Sequence, residues 1–307
     1  MTTHKIRIGT RGSKLARWQA DWVAARLAEL GIEVELIFIR TTGDVTQGPI
    51  GQIGGQGVFT KAIQAALLND EVDLAVHSLK DLPTDKIEGL ALSAVPPRET
   101  IHDALVGRAA SEIAKLPAAA TVGTGSTRRQ AQLLAARPDL KVQDIRGNVE
   151  TRLQKLDEGA FDAIVLASAG LKRLGLGDRI TEVISTDIML PAVGQGALGL
   201  ETRSDDERTR ELIKPIDHSV THQSVLAERA LLRDLRGGCM APVAAWCREE
   251  DGQLQLDAAV LSFDGTKRVH VSRQGDLDSG AAIGASAAEA LDRQGARELI
   301  EAARSSD

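Results

Sequence analysis

The 307-residue chain has no tyrosine, and only four phenylalanines and three tryptophans supply aromatic rings. Proteins that stack nucleic-acid bases need such rings, so base reading is excluded and Leu, Val, Ile and Ala must fill the core. Cysteine is equally scarce. Cys239 and Cys247 are too few for a disulfide framework and too far apart for a CxxC redox or zinc pair, so any thiol chemistry rests on one sulfur. Positive charge is not in surplus: 37 Lys and Arg stand against 43 Asp and Glu, a formal charge of -6. Polyanion backbones are held by excess cations, which argues against a nucleic-acid partner and makes any anion site local. Met1-Thr2-Thr3-His4-Lys5 leads into an apolar run at Ile6 to Ile8, too short for a signal peptide or a membrane span. The expected location is the cytoplasm, with no membrane partner.

What is present is a repeated plan. Lys5 to Ser13, followed by Lys14 to Leu30, reads as strand, tight turn and helix, with Leu15, Trp18, Trp22, Val23, Leu27 and Leu30 at helical spacing. Ser13 is placed to cap that helix, where amide groups and Arg11 converge on a position that favours anions. The pattern returns at Ala120 to Arg129, where Gly123-Thr124-Gly125-Ser126-Thr127-Arg128-Arg129 leads into the apolar stretch Ala131 to Ala136. A second pair agrees: a helix over Val58 to Leu68 precedes a strand at Val72 to Val76, and a helix over Val149 to Leu156 precedes a strand at Phe161 to Leu166. These strands end in Ser78-Leu79-Lys80-Asp81 and in Ser168-Ala169-Gly170-Leu171-Lys172-Arg173.

Strands alternating with helices imply parallel sheets with ligands beyond their carboxyl ends. The expected architecture is α/β, with two related lobes facing a cleft: residues 1–96 with 197–215, and residues 100–190. Crossings fall near Pro96-Pro97 and Pro191 to Gly196. Residues 216–307 form a small α+β domain, with a helix from about Ser219 to Leu235, strands at Gln253 to Val260 and Thr266 to Val271, and one last helix over Ala281 to Ala303.

Arg11, Arg128, Arg129, Arg146, Arg152 and Arg173 all sit in turns or first helical turns at predicted strand ends. A guanidinium fork binds carboxylates bidentately and keeps its charge, so the set suits a ligand bearing several carboxylates. A solvated surface arginine is the ordinary reading of any one of them; six at equivalent places favour the cleft. Asp81 ends an apolar strand, where a carboxylate either stabilises developing positive charge or caps the turn before Pro83. His77 shares that turn and reads as structural. His218 and His222 are four apart, but no third ligand follows, and no metal is expected. Gly51 to Gly57 lacks the Gly-Lys-Ser/Thr of a P-loop and reads as a lid. Cys239 lies in Gly237-Gly238-Cys239 ahead of Pro242, on a turn with little steric cover; a lone cysteine is otherwise a small buried apolar residue, and both readings stand on pattern alone.

Seven segments in order resemble the porphobilinogen deaminase family: Gly-Thr-Arg-Gly-Ser-Lys-Leu-Ala at 9–16, Ala-Val-His-Ser-Leu-Lys-Asp-Leu-Pro at 75–83, Gly-Thr-Gly-Ser-Thr-Arg-Arg at 123–129, Ile-Arg-Gly-Asn-Val at 145–149, Ala-Gly-Leu-Lys-Arg-Leu-Gly at 169–175, Leu-Pro-Ala-Val-Gly-Gln-Gly-Ala at 190–197, and the Gly-Gly-Cys turn. The resemblance implies two lobes like periplasmic binding proteins and a third domain. It also implies a dipyrromethane cofactor on a thioether to Cys239, priming the head-to-tail joining of four porphobilinogen molecules with loss of ammonia, and hydrolysis to hydroxymethylbilane. Asp81 would bind pyrrole N–H groups and stabilise the azafulvenium-like cation. Lys80, Ser126, Thr127, Arg128, Arg129, Arg146 and Arg173 would hold the cofactor, Arg11, Ser13 and Arg152 the substrate, and Gln195 would support the crossing. The family's members are expected to be monomers. Where they often carry lysines in the 43–58 loop, this chain has Gln52 and Gln56, so the lid carries less positive charge. A solute-binding module would need no Cys239, and a dinucleotide enzyme would need a completed G-x-G-x-x-G.

Overall fold

The computed structural model describes residues 5–41, 60–238 and 241–305. The expected lid at 43–58, the start of the helix at 58, and Cys239 itself lie outside the described residues. The chain divides into two compact units, Met1–Arg98 with Ala197–His222, and Glu99–Gly196 with Gln223–Asp307.

In the first unit, β1 (Lys5–Thr10), α1 (Lys14–Glu29), β2 (Glu33–Phe38), α2 (Lys61–Leu68), β3 (Leu74–Ser78) and β4 (Leu90–Ala94) are joined late in the chain by β10 (Leu198–Arg203). The sheet order is β2-β1-β3-β10-β4. Alternating Ile6 and Ile8 of β1 meet Leu74 and Val76, Leu198 and Leu200, under Val23 and Leu27 of α1. The opposite face of the sheet is closed by Ile63, Ala66 and Leu67 of α2 on Val72 and Ala75. Period-two strands and period-3.6 helices thus bury matching faces.

The second unit repeats the plan with β5 (Asp103–Gly107), β6 (Thr121–Gly123), α3 (Thr127–Ala136), β7 (Lys141–Gln143), α4 (Val149–Asp157), β8 (Ala163–Ala167), α5 (Ser168–Arg173) and β9 (Glu182–Val183). Its order, β7-β6-β8-β5-β9, matches the first sheet strand for strand. The expectation of wholly parallel sheets is corrected here. β1 pairs in parallel with β2 and β3, and β6 with β7 and β8, but β10 runs antiparallel to β3 and β4, and β5 antiparallel to β8 and β9. The reason is connectivity: β5 follows the first crossing and β10 the second, and each enters its sheet from the other end.

The first unit also holds α6 (Glu207–Ile213) and the first turn of α7 (Ser219–Asp234); from Gln223 on, α7 belongs to the second unit, followed by the antiparallel sheet β11 (Val243–Glu250), β12 (Gln253–Leu261) and β13 (Arg268–Gly275), and finally α8 (Gly280–Asp292) and α9 (Ala296–Ser305). The single last helix expected over 281–303 is broken, because Gly295 takes φ +89 and redirects the chain. This small α+β portion shares a core with the second five-stranded sheet's layer: Ala131 and Leu190 pack on Ala244, Ala259 and Leu261. At Gly265, φ +73, a Cβ would lie 2.4 Å from the Ala131 carbonyl oxygen, so only glycine lets the β12–β13 hairpin approach α3 this closely.

Candidate active site

In the first unit, the turn after β1 and the turn after β3 open on the same pocket. Ser13 caps α1, its Oγ accepting from the Ala16 amide at 3.3 Å. Beyond β3 the chain makes one 3-10 turn, Leu79–Asp81, with Leu79 buried as its anchor and Asp81 exposed. Arg11, Ser13, Gln19, His77, Ser78 and Asp81 line a cavity of about 60 Å³. Buried Gln19 donates to Ser78 Oγ at 2.7 Å, fixing one wall. The structure therefore unites Arg11, Ser13 and Asp81. Lys80 is exposed on the same turn but does not line the cavity.

In the second unit the corresponding turn is built around a charge cluster in which the expected residues Arg128, Arg129 and Gln195 converge on an acid, Asp103, that the sequence did not single out. Asp103, completely buried, receives Arg129 Nε at 2.9 Å and Nη2 at 2.7 Å, Arg128 Nη2 at 2.8 Å and Gln195 Nε2 at 3.0 Å. Arg128 and Arg129 are only 3% and 6% exposed, so they are pillars of the lobe as well as members of its charged turn. Their remaining bonds run to backbone: Arg128 Nη1 to Leu190 O at 2.6 Å and Arg129 Nη1 to Val165 O at 3.0 Å. Two guanidinium groups against one carboxylate leave a net positive charge beneath the first turn of α3, where Ser126 Oγ caps Arg129 N at 3.5 Å. Burial alone would raise the Asp103 pKa; attraction by Arg128 and Arg129 outweighs it and lowers it to about 2. Burial also lowers the Arg128 pKa against the pull of Asp103.

This pair has a pH signature. With the folded Asp103 pKa near 2 and an unfolded value near 4, the stabilisation is complete above the unfolded value and is lost as pH falls through the folded one. Urea unfolding should show roughly 2–3 kcal/mol disappearing between about pH 5 and pH 2 from this group. Asp103→Asn should remove that acid dependence and cost about 3–5 kcal/mol at pH 7, since it leaves buried arginines unpaired. Equal stability of the variant at pH 7 would contradict the assignment.

Arg146, Arg152 and Arg173 are more open. Arg146 Nε pairs with Asp144 at 2.6 Å and its side chain is one-third exposed. A Cβ at Gly125 would lie 2.9 Å from Asp144 Oδ1 and 3.8 Å from Arg146 Nη1, which puts this arginine beside the Gly125-Ser126 turn. Asn148 caps α4 by accepting from Thr151 N at 2.8 Å, and Arg152 Nε donates to Gly147 O at 2.8 Å. Arg173 Nη2 donates to Gly196 O at 2.8 Å, and burial lowers its pKa, opposed by Glu99. Thr127 is the first residue of α3. His218 Nδ1 meets Thr221 and His222 Nδ1 meets Asp217 at 2.9 Å, so both histidines work at the start of α7.

Three buried acids escaped the reading of the sequence: Asp103, Glu201 and Glu228. Glu228, fully buried on α7, accepts from Gly194 N at 2.7 Å and Cys247 N at 2.9 Å, tying the second crossing to β11. Gln195, expected to support the crossing, does so through Ile101 O at 2.7 Å and Asp103.

Residues 6–211 match the family model described as porphobilinogen deaminase, dipyromethane cofactor binding domain, and residues 222–293 match porphobilinogen deaminase, C-terminal domain. The chain belongs to the porphobilinogen deaminase family. Proteins named porphobilinogen deaminase share 50% identity in Desulforudis audaxviator, over 96% of this chain and 97% of that one, and 47% in Geobacter sulfurreducens, over 98% and 95%. The Acidithiobacillus ferrooxidans protein of the same name is 49% identical over 98% of this chain and 99% of its own length. Among solved structures, a periplasmic substrate-binding protein of an ABC transporter from Coxiella burnetii is 14% identical, covering 69% of this chain and 90% of its own, at a TM-score of 0.44.

The cofactor that the family model names carries carboxylate side chains, and the second unit offers a matching donor set. Its residues present a buried net positive charge, a capped helix start and three further guanidinium groups on the turns around one sheet. The residues fit such a group. No helix among the described residues is long and apolar enough to cross a membrane.

Proposed function

We propose that this chain joins four porphobilinogen molecules head to tail, releasing ammonia, on a dipyrromethane primer bound through a thioether to Cys239, and then hydrolyses the product to hydroxymethylbilane. The observation that carries the reading is the Asp81 pocket at the end of β3, in a chain that matches the family along nearly its whole length. The primer supplies a fixed nucleophilic pyrrole end on which the chain grows. Ser126, Thr127, Arg128, Arg129, Arg146 and Arg173, with Lys80, hold its carboxylates, and Arg11, Ser13 and Arg152 take those of the incoming substrate.

Asp81 accepts hydrogen bonds from pyrrole N–H groups and stabilises the positive charge that develops on the substrate as ammonia leaves, the work suited to a carboxylate fixed in advance. Its neighbour Arg11 supplies the opposite charge in the same pocket, so a zwitterionic substrate finds both partners there. Arg128 and Arg129 serve through their remaining field, since Asp103 already pairs with both. We further infer a division into three domains, 1–96 with 197–215, 100–190 and 216–307, a monomer, and a cytoplasmic location. Incubation of the purified protein with porphobilinogen should yield ammonia and hydroxymethylbilane; binding of porphobilinogen without release of either would favour a solute-binding module and overturn the proposal.

A further inference from the structure

Beneath the Asp81 pocket lies a second polar group for which the proposed reaction has as yet no use. β3 and β10 run antiparallel with Ala75 opposite Glu201 and His77 opposite Gly199, so His77 and Glu201 are diagonal neighbours on one face. His77 Nε2 lies 3.2 Å from Glu201 Oε2, and Gln64 of α2 places Nε2 at 3.1 Å from both Glu201 oxygens. His77 and Glu201 are 5% and 6% exposed.

A buried carboxylate is tolerated when donors satisfy its oxygens, and among the described residues Gln64 and His77 are the side chains placed to do so. With a proton on Nε2, the His77 ring donates it to Glu201. Its Nδ1 has no hydrogen-bond partner among the described residues, and His77 lines the cavity that Asp81 and Arg11 also line. The cavity, at about 60 Å³, has room for a few water-sized species. A titratable ring oriented by a carboxylate, itself oriented by a third group, is the arrangement by which proteins build acid–base catalysts.

We propose that His77, held by Glu201 and Gln64, is the proton shuttle of the Asp81 pocket; the inference rests on the activity proposed above. In each addition the C–N bond of the substrate's ammoniomethyl group breaks with its electron pair going to nitrogen. The ammonia takes the Nδ1 proton of His77 and leaves as ammonium. The new C–C bond forms, and the proton displaced from the α-carbon that becomes substituted returns to Nδ1. One ammonium leaves, and His77 ends as it began. Among the described residues, the charged groups that touch the ring or share its pocket are Glu201 on β10, Asp81 on the turn after β3 and Arg11 on the turn after β1. The polar side chains that the helices add, Gln64 and Gln19, are neutral.

The test compares wild type with His77→Asn and Glu201→Gln in intact mass, kcat and KM across pH, and the solvent deuterium isotope effect on kcat. His77→Asn should keep the mass of the bound primer and a KM within about twofold, while kcat falls about 100-fold, in the range of a general acid–base group. The pH profile of kcat should change in it and the solvent isotope effect should shrink, and Glu201→Gln should lower kcat in the same direction. Wild-type kcat in His77→Asn overturns the shuttle, as does a loss of activity that leaves the pH profile and isotope effect unchanged. If His77→Asn does not fold, an unchanged kcat in Glu201→Gln overturns it. A wild-type protein that makes no hydroxymethylbilane sinks the proposed activity instead.

Discussion

Asp81→Ala is expected to retain the mass of a covalently bound dipyrromethane while ammonia release falls by about two to four orders of magnitude, the range over which positioned charge and acid–base groups act. The carboxylate stands exposed on a 3-10 turn whose anchor is buried Leu79. Removing an exposed side chain from such a turn leaves packing untouched and costs within about 0.5 kcal/mol, so loss of turnover cannot be traced to unfolding. Asp81→Asn keeps the shape and removes the charge; it should fall nearly as far, because stabilising a developing cation needs the charge and not the volume. Single-turnover ammonia release with mass spectrometry of the same sample checks both. Near-normal turnover in either variant would remove Asp81 from the chemistry.

The parts of this site that can be read from the sequence are those built by local grammar. Gly9 to Ser13 and Gly123 to Arg129 announce strand, turn and capped helix within a dozen residues, and both caps are formed by Ser13 and Ser126. The Asp81 turn follows from an apolar strand that stops at a polar cluster. The buried acids are hidden for the opposite reason. Asp103 opens β5 ahead of Ala104-Leu105-Val106 and Glu201 follows Leu198-Gly199-Leu200 in β10, and the partners that make their burial tolerable are far away in the chain, Arg129 at a separation of 26 residues and Gln64 at 137. No periodicity reports such a pairing. The same blindness made Arg128 and Arg129 look like open clamps, when their nearest carboxylate belongs to the protein itself. The antiparallel strands were hidden likewise, because strand direction depends on which crossing delivers the strand and not on its residues. His77 was visible but looked inert, since its meaning comes from Glu201 on the neighbouring strand.

Cys239→Ser should yield a folded protein that carries no primer mass and makes no detectable hydroxymethylbilane. A serine hydroxyl has the shape of the thiol but not the thiolate's nucleophilicity. The preceding turn is set by its own backbone: Arg236 and Gly238 take φ +52 and +64, and Gly237 is pressed against Leu232, where a Cβ would lie 2.5 Å from its Cδ1. Cys247 is the internal control. It is buried in β11, and its backbone N–H is bound by Glu228, so it offers no route for attaching a group of this size. Cys247→Ser should therefore keep both the primer mass and the activity. A primer mass found on Cys239→Ser, or lost from a folded Cys247→Ser, would move the attachment to the other sulfur and undo the assignment.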